Sequence, residues 1–590
     1  MSDDRSPRLL WAEDGSPRSG RFDDVYFSKQ DGLAESRAVF LGGCGLPEAW
    51  AGRRHFTVAE LGFGTGLNIV ALLDLWRRER PAGGHLHIFS VEGFPLSREE
   101  AARALMAWPE VAEITEALLD RWPSGTPGFH RLDLEPFGAT LDLAVGDVAW
   151  ALNQWSGRAD AWFLDGFAPS TNPGMWSDAV MDAIAARSAP GARVATFTVA
   201  GAVRRGLSER GFQVDKRPGH GRKRERLEAR LPGQITGQPV PSVAVIGAGI
   251  AGAALARAFA ALGHRVTVVE AEAAGAGGSG FPAALVTPRL DAGDSDIAAL
   301  HAQALERANS LYGQVEGAVV AQGVLQLEQM PRDATRFGKI ADQPIWPADT
   351  MTVMDATAAS AHLGEDVHAG GLMMASAVAV RPAPVLEAWL GQAERLTTTI
   401  AGIQRTDRCW SLLSDTGEVI LKADVVILAA GWGNAGLAPD LALAPVRGQA
   451  DWVEDDTLEV PAVAWGGYRV PTGRGVLFGA THDRGRTDTV ASTEDTARNL
   501  ATLAARLPHG RQDLRATIHR RAAVRATTPD RLPLAGPASG TEGLYVLGGL
   551  GSRGFCVAPL LAEHIAASVT GTPSPLSQAV AKRVDPGRST

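Results

Sequence analysis

The most constraining stretch of this 590-residue chain is Val243-Ala-Val-Ile-Gly-Ala-Gly-Ile-Ala-Gly-Ala-Ala-Leu-Ala-Arg-Ala-Phe-Ala-Ala-Leu-Gly-His-Arg-Val-Thr-Val-Val-Glu270. An apolar strand, a glycine turn, an alanine-rich helix, a second apolar strand and a closing acid follow in register, the pattern of a βαβ dinucleotide-binding unit. Gly247 makes the turn, Gly249 lets backbone approach a pyrophosphate, and Gly252 permits close contact between helix and sheet. Glu270 ends the second strand, where a carboxylate can accept ribose hydroxyls. A chain built around such a unit is expected to fold as an α/β protein with a parallel sheet and ligands at the carboxyl ends of its strands.

One such unit does not account for the whole chain, which is longer than a single core usually fills. Upstream, strand-like runs at 56–61, 86–91, 141–145, 161–164 and 194–198 alternate with helix-length segments, predicting a second parallel sheet. Residues 212–216 and 226–231 flank a Gly-His-Gly turn and predict a closing antiparallel hairpin. The Pro- and Gly-rich stretch 232–241 reads as a linker between domains spanning 1–231 and 242–575, and residues 576–590 read as a flexible tail. Apolar residues at 45% and charged residues at 21% are ordinary globular values. The three cysteines, Cys44, Cys409 and Cys556, lie far apart, which argues against a disulfide framework or a metal site and fits a reducing compartment. No apolar leader or membrane span is read, and a cytoplasmic location is expected.

In the upstream region, Glu60-Leu-Gly-Phe-Gly-Thr-Gly-Leu-Asn68 follows a strand and enters a helix. Gly62, Gly64 and Gly66 allow close backbone approach, and the helix start offers unpaired N–H groups. Glu60 tilts the expected ligand from a pyrophosphate towards S-adenosylmethionine, whose amino-acid part is cationic. Glu92 ends the next strand at ribose position. Asp147 could accept from an adenine amino group or serve as a helix N-cap. Trp162-Phe-Leu-Asp-Gly-Phe-Ala-Pro-Ser-Thr-Asn-Pro-Gly-Met-Trp176 leaves Asp165 at the end of a buried strand. There it could take the proton of an amine undergoing methylation while Phe167 or Trp176 stacks on a base.

The formal net charge of -9 argues against a protein coated in positive charge, so nucleic-acid contact has to be local. Arg222, Lys223 and Arg224, in the hairpin turn, are the candidate RNA phosphate contacts. Downstream, Gly548-Gly-Leu-Gly-Ser-Arg-Gly-Phe555 is a second glycine-rich turn, in which Gly549 and Gly551 offer the distant contact that an FAD requires; an ordinary helix cap is the other reading. Arg525 and Arg553 could each hold a substrate carboxylate through a two-pronged hydrogen bond beside the flavin, or equally serve as surface ion-pair partners.

Taken together, Phe22-Asp-Asp-Val-Tyr-Phe-Ser28, Glu60 to Asn68, Asp165-Gly-Phe-Ala-Pro169, Gly221-Arg-Lys-Arg-Glu225, the FAD fingerprint and Leu550-Gly-Ser-Arg-Gly554 make the chain resemble the bacterial bifunctional tRNA 5-methylaminomethyl-2-thiouridine biosynthesis proteins over nearly its full length. The resemblance implies a class I methyltransferase fused to an FAD-dependent amine oxidase similar to glycine and D-amino-acid oxidases. It further implies that the oxidase removes the carboxymethyl group of 5-carboxymethylaminomethyl-2-thiouridine at the tRNA wobble position, and that the methyltransferase then methylates the freed amine. Arg525 and Arg553 fall where that oxidase group handles the substrate carboxylate. One departure stands out: the family usually continues Ser-Gly-Asn-x-x-Gly after the second strand, whereas this chain reads Ser279-Gly-Phe-Pro-Ala-Ala284. The competing reading is a glycine- or sarcosine-like small-molecule amine oxidase fused to a methyltransferase of separate purpose, which would not need the basic hairpin.

Overall fold

The computed structural model describes residues 6–588 except 28–30, 222–223, 235–239, 407, 511–513 and 515. The chain divides into two compact units, Met1–Pro239 with Gly571–Gln578, and Val240–Thr570 with Ala579–Thr590.

The first unit carries an eight-stranded sheet in the spatial order Gln213–Pro218, Glu225–Arg230, Ser188–Thr196, Ala159–Leu164, His55–Leu61, His85–Glu92, Ala139–Val145 and Gly128–Leu134. Neighbours from Ser188–Thr196 through Ala139–Val145 run parallel. Both edges are antiparallel, including the expected terminal hairpin. Along His55–Leu61, Phe56 and Val58 join one apolar cluster while Ala59 and Leu61 join another. Both faces of the sheet are therefore covered, and the strand is buried from Phe56 to Leu61 even though it carries Thr57 and Glu60. Successive strands extend the sheet first through His85–Glu92 and then, in the other direction, through Ala159–Leu164. This reversal opens a crevice at the carboxyl ends of His55–Leu61 and Ala159–Leu164. A small antiparallel sheet of Leu9–Trp11, Pro17–Ser19 and Asp24–Val25 precedes the large one. Its strands are too short to carry a readable alternation.

In the second unit a six-stranded sheet orders Glu394–Thr397, Thr267–Glu270, Val243–Ile246, Val425–Leu428, Leu544–Gly548 and Leu534–Pro537, with only the last pair antiparallel. Val243–Ile246 is buried throughout, and the helix Ile250–Ala261 packs against Gly554–Thr570 and Pro382–Leu390. A larger mixed sheet includes Ala444–Glu454 paired antiparallel with Ile518–Thr527. Strand alternation places Arg447, Gln449 and Asp451 on one face, where the helix Thr493–Ala504 satisfies them: Arg447 donates to Asp495 at 2.8 Å and Asn499 to Asp451 at 2.6 Å. The pairing of Val446 with Arg525 and of Ala450 with Arg521 puts both arginines on the opposite face.

The chain end differs from the expected flexible tail. Gln578–Val584 is a helix, Val580 and Val584 are buried, Arg583 pairs with Asp294, and Arg588 donates to Asp530 at 2.8 Å. Its Pro- and Ser-rich approach hid two apolar anchors spaced one helical turn apart. Among the described residues no helix is long and apolar enough to cross a membrane, and no group of three or more His, Cys, Asp or Glu could hold a metal ion.

Candidate active sites

The crevice of the first unit is a cavity of about 990 Å³, with Gly62, Gly64, Glu92, Asp147, Asp165 and Phe167 in its wall. The glycine turn has φ of +96° at Gly62, +52° at Gly64 and +80° at Gly66, and the helix Leu67–Glu79 starts at once. A Cβ on Gly62 would overlap the Asp165 carbonyl oxygen, so the close approach of the two strand ends needs glycine there. Glu92 secures the turn: one carboxylate oxygen accepts from Gly64 N at 2.9 Å and the other from Phe94 N at 2.8 Å. Burial pushes the Glu92 carboxyl up, against the opposing pull of these N–H donors. Of its two expected roles, Asp147 takes the helix cap. It caps the helix Val148–Gln154 through Oδ1, which accepts from Ala149 N and Trp150 N, and it also lines the cavity.

Two residues stand elsewhere than expected. Glu60 is not in the cavity wall but fully buried behind it, accepting from Ser90 Oγ at 2.6 Å. Burial pushes its carboxyl up to about 8, so it is mostly protonated at neutral pH and supplies no charge to a cationic ligand. The physical reason is its place inside a strand covered on both faces, next to Ser90 on the adjacent strand. Trp176 is likewise off the wall, donating from Nε1 to the Phe167 carbonyl at 3.0 Å, so it braces Phe167 rather than presenting its own ring.

Several wall residues had no assigned role in the sequence reading. Phe22 stacks on Phe167 with centroids 4.8 Å apart, and Tyr26 meets the same ring edge-on at 5.4 Å. Asp24 accepts from Ala168 N at 3.1 Å, tying the N-terminal segment to the loop after Asp165. Ser36 donates to Asn68 Oδ1 at 2.6 Å, and Asn68 Nδ2 donates to Asp165 Oδ2 at 2.7 Å. His220, in the turn of the terminal hairpin, also lines the cavity, and Arg224 in the same turn is exposed. Arg222 and Lys223 lie outside the described residues.

In the second unit the fingerprint forms a turn with φ of +112° at Gly247, where a Cβ would sit 2.6 Å from the Ala429 carbonyl oxygen. A Cβ on Gly252 would overlap the Gly247 carbonyl oxygen, which explains its requirement for close helix entry. Glu270 accepts from Ala248 N at 2.6 Å, the same carboxylate-to-turn clasp that Glu92 makes in the first unit. Ser279 Oγ accepts from Ile250 N at 3.0 Å at the helix start. Arg521 clamps the following loop, donating to the carbonyls of Gly275 and Gly277 at 3.2 Å, to Gly280 at 3.3 Å and to Ala276. The departing residue Phe281 lies beside that guanidinium, with its ring centroid 5.9 Å away. Nothing in the sequence singled out Arg521, because its partners lie more than 240 positions upstream.

Gly549 and Gly551 have φ of +63° and +54°, and Gly551 N donates to the Ala526 carbonyl at 3.0 Å, beside Arg525. Arg525 extends across Gly448, where any side chain would collide with its Nη2. Arg553 is half-buried and donates to the Thr287 hydroxyl and, at 3.3 Å, to the Thr287 carbonyl. Burial lowers the pKa of its guanidinium.

Both glycine cradles fit the groups that the folds imply. The first offers a turn, a helix start and two wall carboxylates to a nucleoside bearing a methyl donor; the second offers a turn and acid of dinucleotide type. The two units thus define a methyltransferase and a flavin-dependent oxidoreductase in one chain. The family described as S-adenosyl-L-methionine-dependent methyltransferase matches residues 109–232, and the family described as FAD dependent oxidoreductase matches residues 242–568. A tRNA 5-methylaminomethyl-2-thiouridine biosynthesis bifunctional protein from a Caulobacter species is 54% identical over 100% of this chain and 98% of its own length. The protein of that name from Caulobacter vibrioides is 56% identical over 96% of this chain and 95% of its own. The chain belongs to the family of tRNA 5-methylaminomethyl-2-thiouridine biosynthesis bifunctional proteins. The crystal structure of glycine oxidase from Geobacillus kaustophilus covers 59% of this chain and 99% of that one at 22% identity and a TM-score of 0.51, a likeness of fold.

Proposed function

We propose that the second unit oxidatively removes the carboxymethyl group from 5-carboxymethylaminomethyl-2-thiouridine at the tRNA wobble position, and that the first unit then methylates the exposed amine. The observation that carries this reading is 54% identity, over the whole chain, to a protein of the bifunctional family, combined with an amine-suited acid, Asp165, in the wall of the first cavity. FAD, when bound, supplies the two-electron oxidation of the C–N bond, and hydrolysis of the resulting substrate imine leaves the aminomethyl group and glyoxylate. Arg525 and Arg553 hold the substrate carboxylate, aligning the carbon to be oxidised. Gly247, Gly249, Gly252, Glu270, Gly549 and Gly551 hold the cofactor.

In the first unit, the neutral amine attacks the methyl carbon of S-adenosylmethionine, the C–S bond breaks with its electron pair on sulfur, and the new ammonium loses a proton to Asp165. Gly62, Gly64, Gly66, Glu92 and Asp147 hold the methyl donor. Phe167, braced by Trp176 and stacked on Phe22, offers the base an aromatic surface. Arg222, Lys223 and Arg224 bind RNA phosphates, a role favoured by His220 close by in sequence, which lines the cavity, and tRNA as substrate implies action in the cytoplasm.

Mass spectrometry of wobble nucleosides tests this directly, using tRNA that carries the carboxymethylaminomethyl group, with and without S-adenosylmethionine. Loss of the carboxymethyl mass followed by a donor-dependent methyl gain is expected. Methylation of added aminomethyl tRNA alone would assign the oxidase a different substrate, such as a small amine.

A further inference from the structure

The glycine turn of the first unit ends in a polar relay that no sequence pattern announced. Ser36 and Asn68 are both buried, at 4% and 6% exposure, and water therefore competes little for their hydrogen bonds. Asn68 Oδ1 can only accept and Asn68 Nδ2 can only donate. A serine hydroxyl proton aimed at Oδ1, at 2.6 Å, therefore fixes which end of the amide is oxygen and turns the NH₂ group towards Asp165 Oδ2 at 2.7 Å. A donor to a carboxylate favours its charged form. The buried neighbour reinforces this arrangement: Glu60 is at 0% exposure, and the Asp165 charge is among the causes that raise its carboxyl.

We infer that Asn68, oriented by Ser36, is a positioning residue that holds the Asp165 carboxylate charged and aimed into the cavity for proton acceptance during methyl transfer. The inference rests on the proposed role of Asp165. A helix-forming role does not explain Asn68. It lies in the first turn of Leu67–Glu79, where alanine would favour the helix more, and its side chain serves Ser36, Asp165 and the buried Glu60, whose carboxyl it pulls down, rather than capping.

The test uses the full-length protein, S-adenosylmethionine and tRNA bearing the 5-aminomethyl group, with the pH profile of kcat/KM for methylation as readout and donor affinity measured by calorimetry. Asn68→Ala is expected to move the acidic limb upward by about one pH unit, with donor Kd changed by less than about threefold. Ser36→Ala shifts the limb in the same direction by less, and Ser36→Thr, which keeps the hydroxyl, restores it. If Asn68→Ala fails to bind donor, Ser36→Ala carries the same test with the amide in place. A limb that stays put in the variants, with only donor Kd or KM altered, overturns the positioning role. Retention of methylation by Asp165→Asn overturns instead the reading of Asp165 on which it rests, so the two failures are told apart.

Discussion

Glu60→Gln isolates the cost of placing a carboxyl in the covered strand His55–Leu61. Glu60 is fully buried, and burial raises its carboxyl from 4.5 to about 8, with the Ser90 hydrogen bond opposing. Because the folded value is the higher one, the stability contribution is complete below 4.5 and is lost as pH rises through about 8. Between those limits the folded chain keeps one proton that the unfolded chain gives up, and stability falls by about 1.4 kcal/mol per pH unit. From pH 5.5 to 7.5 this amounts to about 3 kcal/mol, a large share of a typical domain's stability. Glutamine preserves shape and an acceptor for Ser90 but has no proton to lose. The difference in unfolding free energy between native protein and Glu60→Gln should therefore swing in favour of the variant by about 3 kcal/mol across that window. Urea unfolding with pulse-labelling hydrogen exchange, followed on peptides spanning 55–61 and 85–92, reads the methyltransferase sheet alone. A native-minus-variant difference that stays level with pH would refute the assignment of a buried, protonated Glu60.

Gly252→Ala should yield protein without flavin absorbance, since the new Cβ overlaps the Gly247 carbonyl; retention of stoichiometric FAD on purification would count against the proposed cofactor seat. Arg525→Ala should raise KM for the carboxymethyl substrate by at least about tenfold, the worth of a charge-assisted hydrogen bond, while methylation of aminomethyl tRNA proceeds unchanged. His85 is buried and shares a hydrogen bond with Thr140 at 2.9 Å, and burial lowers its pKa from 6.5 to about 4. With the folded value depressed, its stabilising contribution is whole above 6.5 and is lost as pH falls towards 4, by about 3 kcal/mol; acid unfolding of the same sheet peptides should flatten in that window in His85→Asn.

The two cradles were legible because a strand, a turn with positive-φ glycines and a helix are local: their geometry follows from residues within about 30 positions of one another. The parallel sheet of the first unit was legible for the same reason, since burial on both faces writes short, mostly apolar runs between helix-length segments. Side-chain partnerships were not. Asn68 meets Asp165 across 97 positions and Arg521 meets Gly280 across 241, separations over which no periodicity in the sequence extends. Glu60 shows the difference within one motif. Its place before the glycines marked an acid at a ligand turn, but only the register with Ser90 and the covering of both sheet faces decided that it is buried, protonated and outside the cavity. The end of the chain repeats the lesson: composition read as a loose tail, while the apolar anchors Val580 and Val584 find a core that exists only once the rest has folded. The sequence by itself determined which two kinds of nucleotide-type cradle this protein has and in what order. The tertiary structure alone decided which charges face the cavity, because burial and long-range hydrogen bonding, not residue type, set whether a carboxyl is ionised.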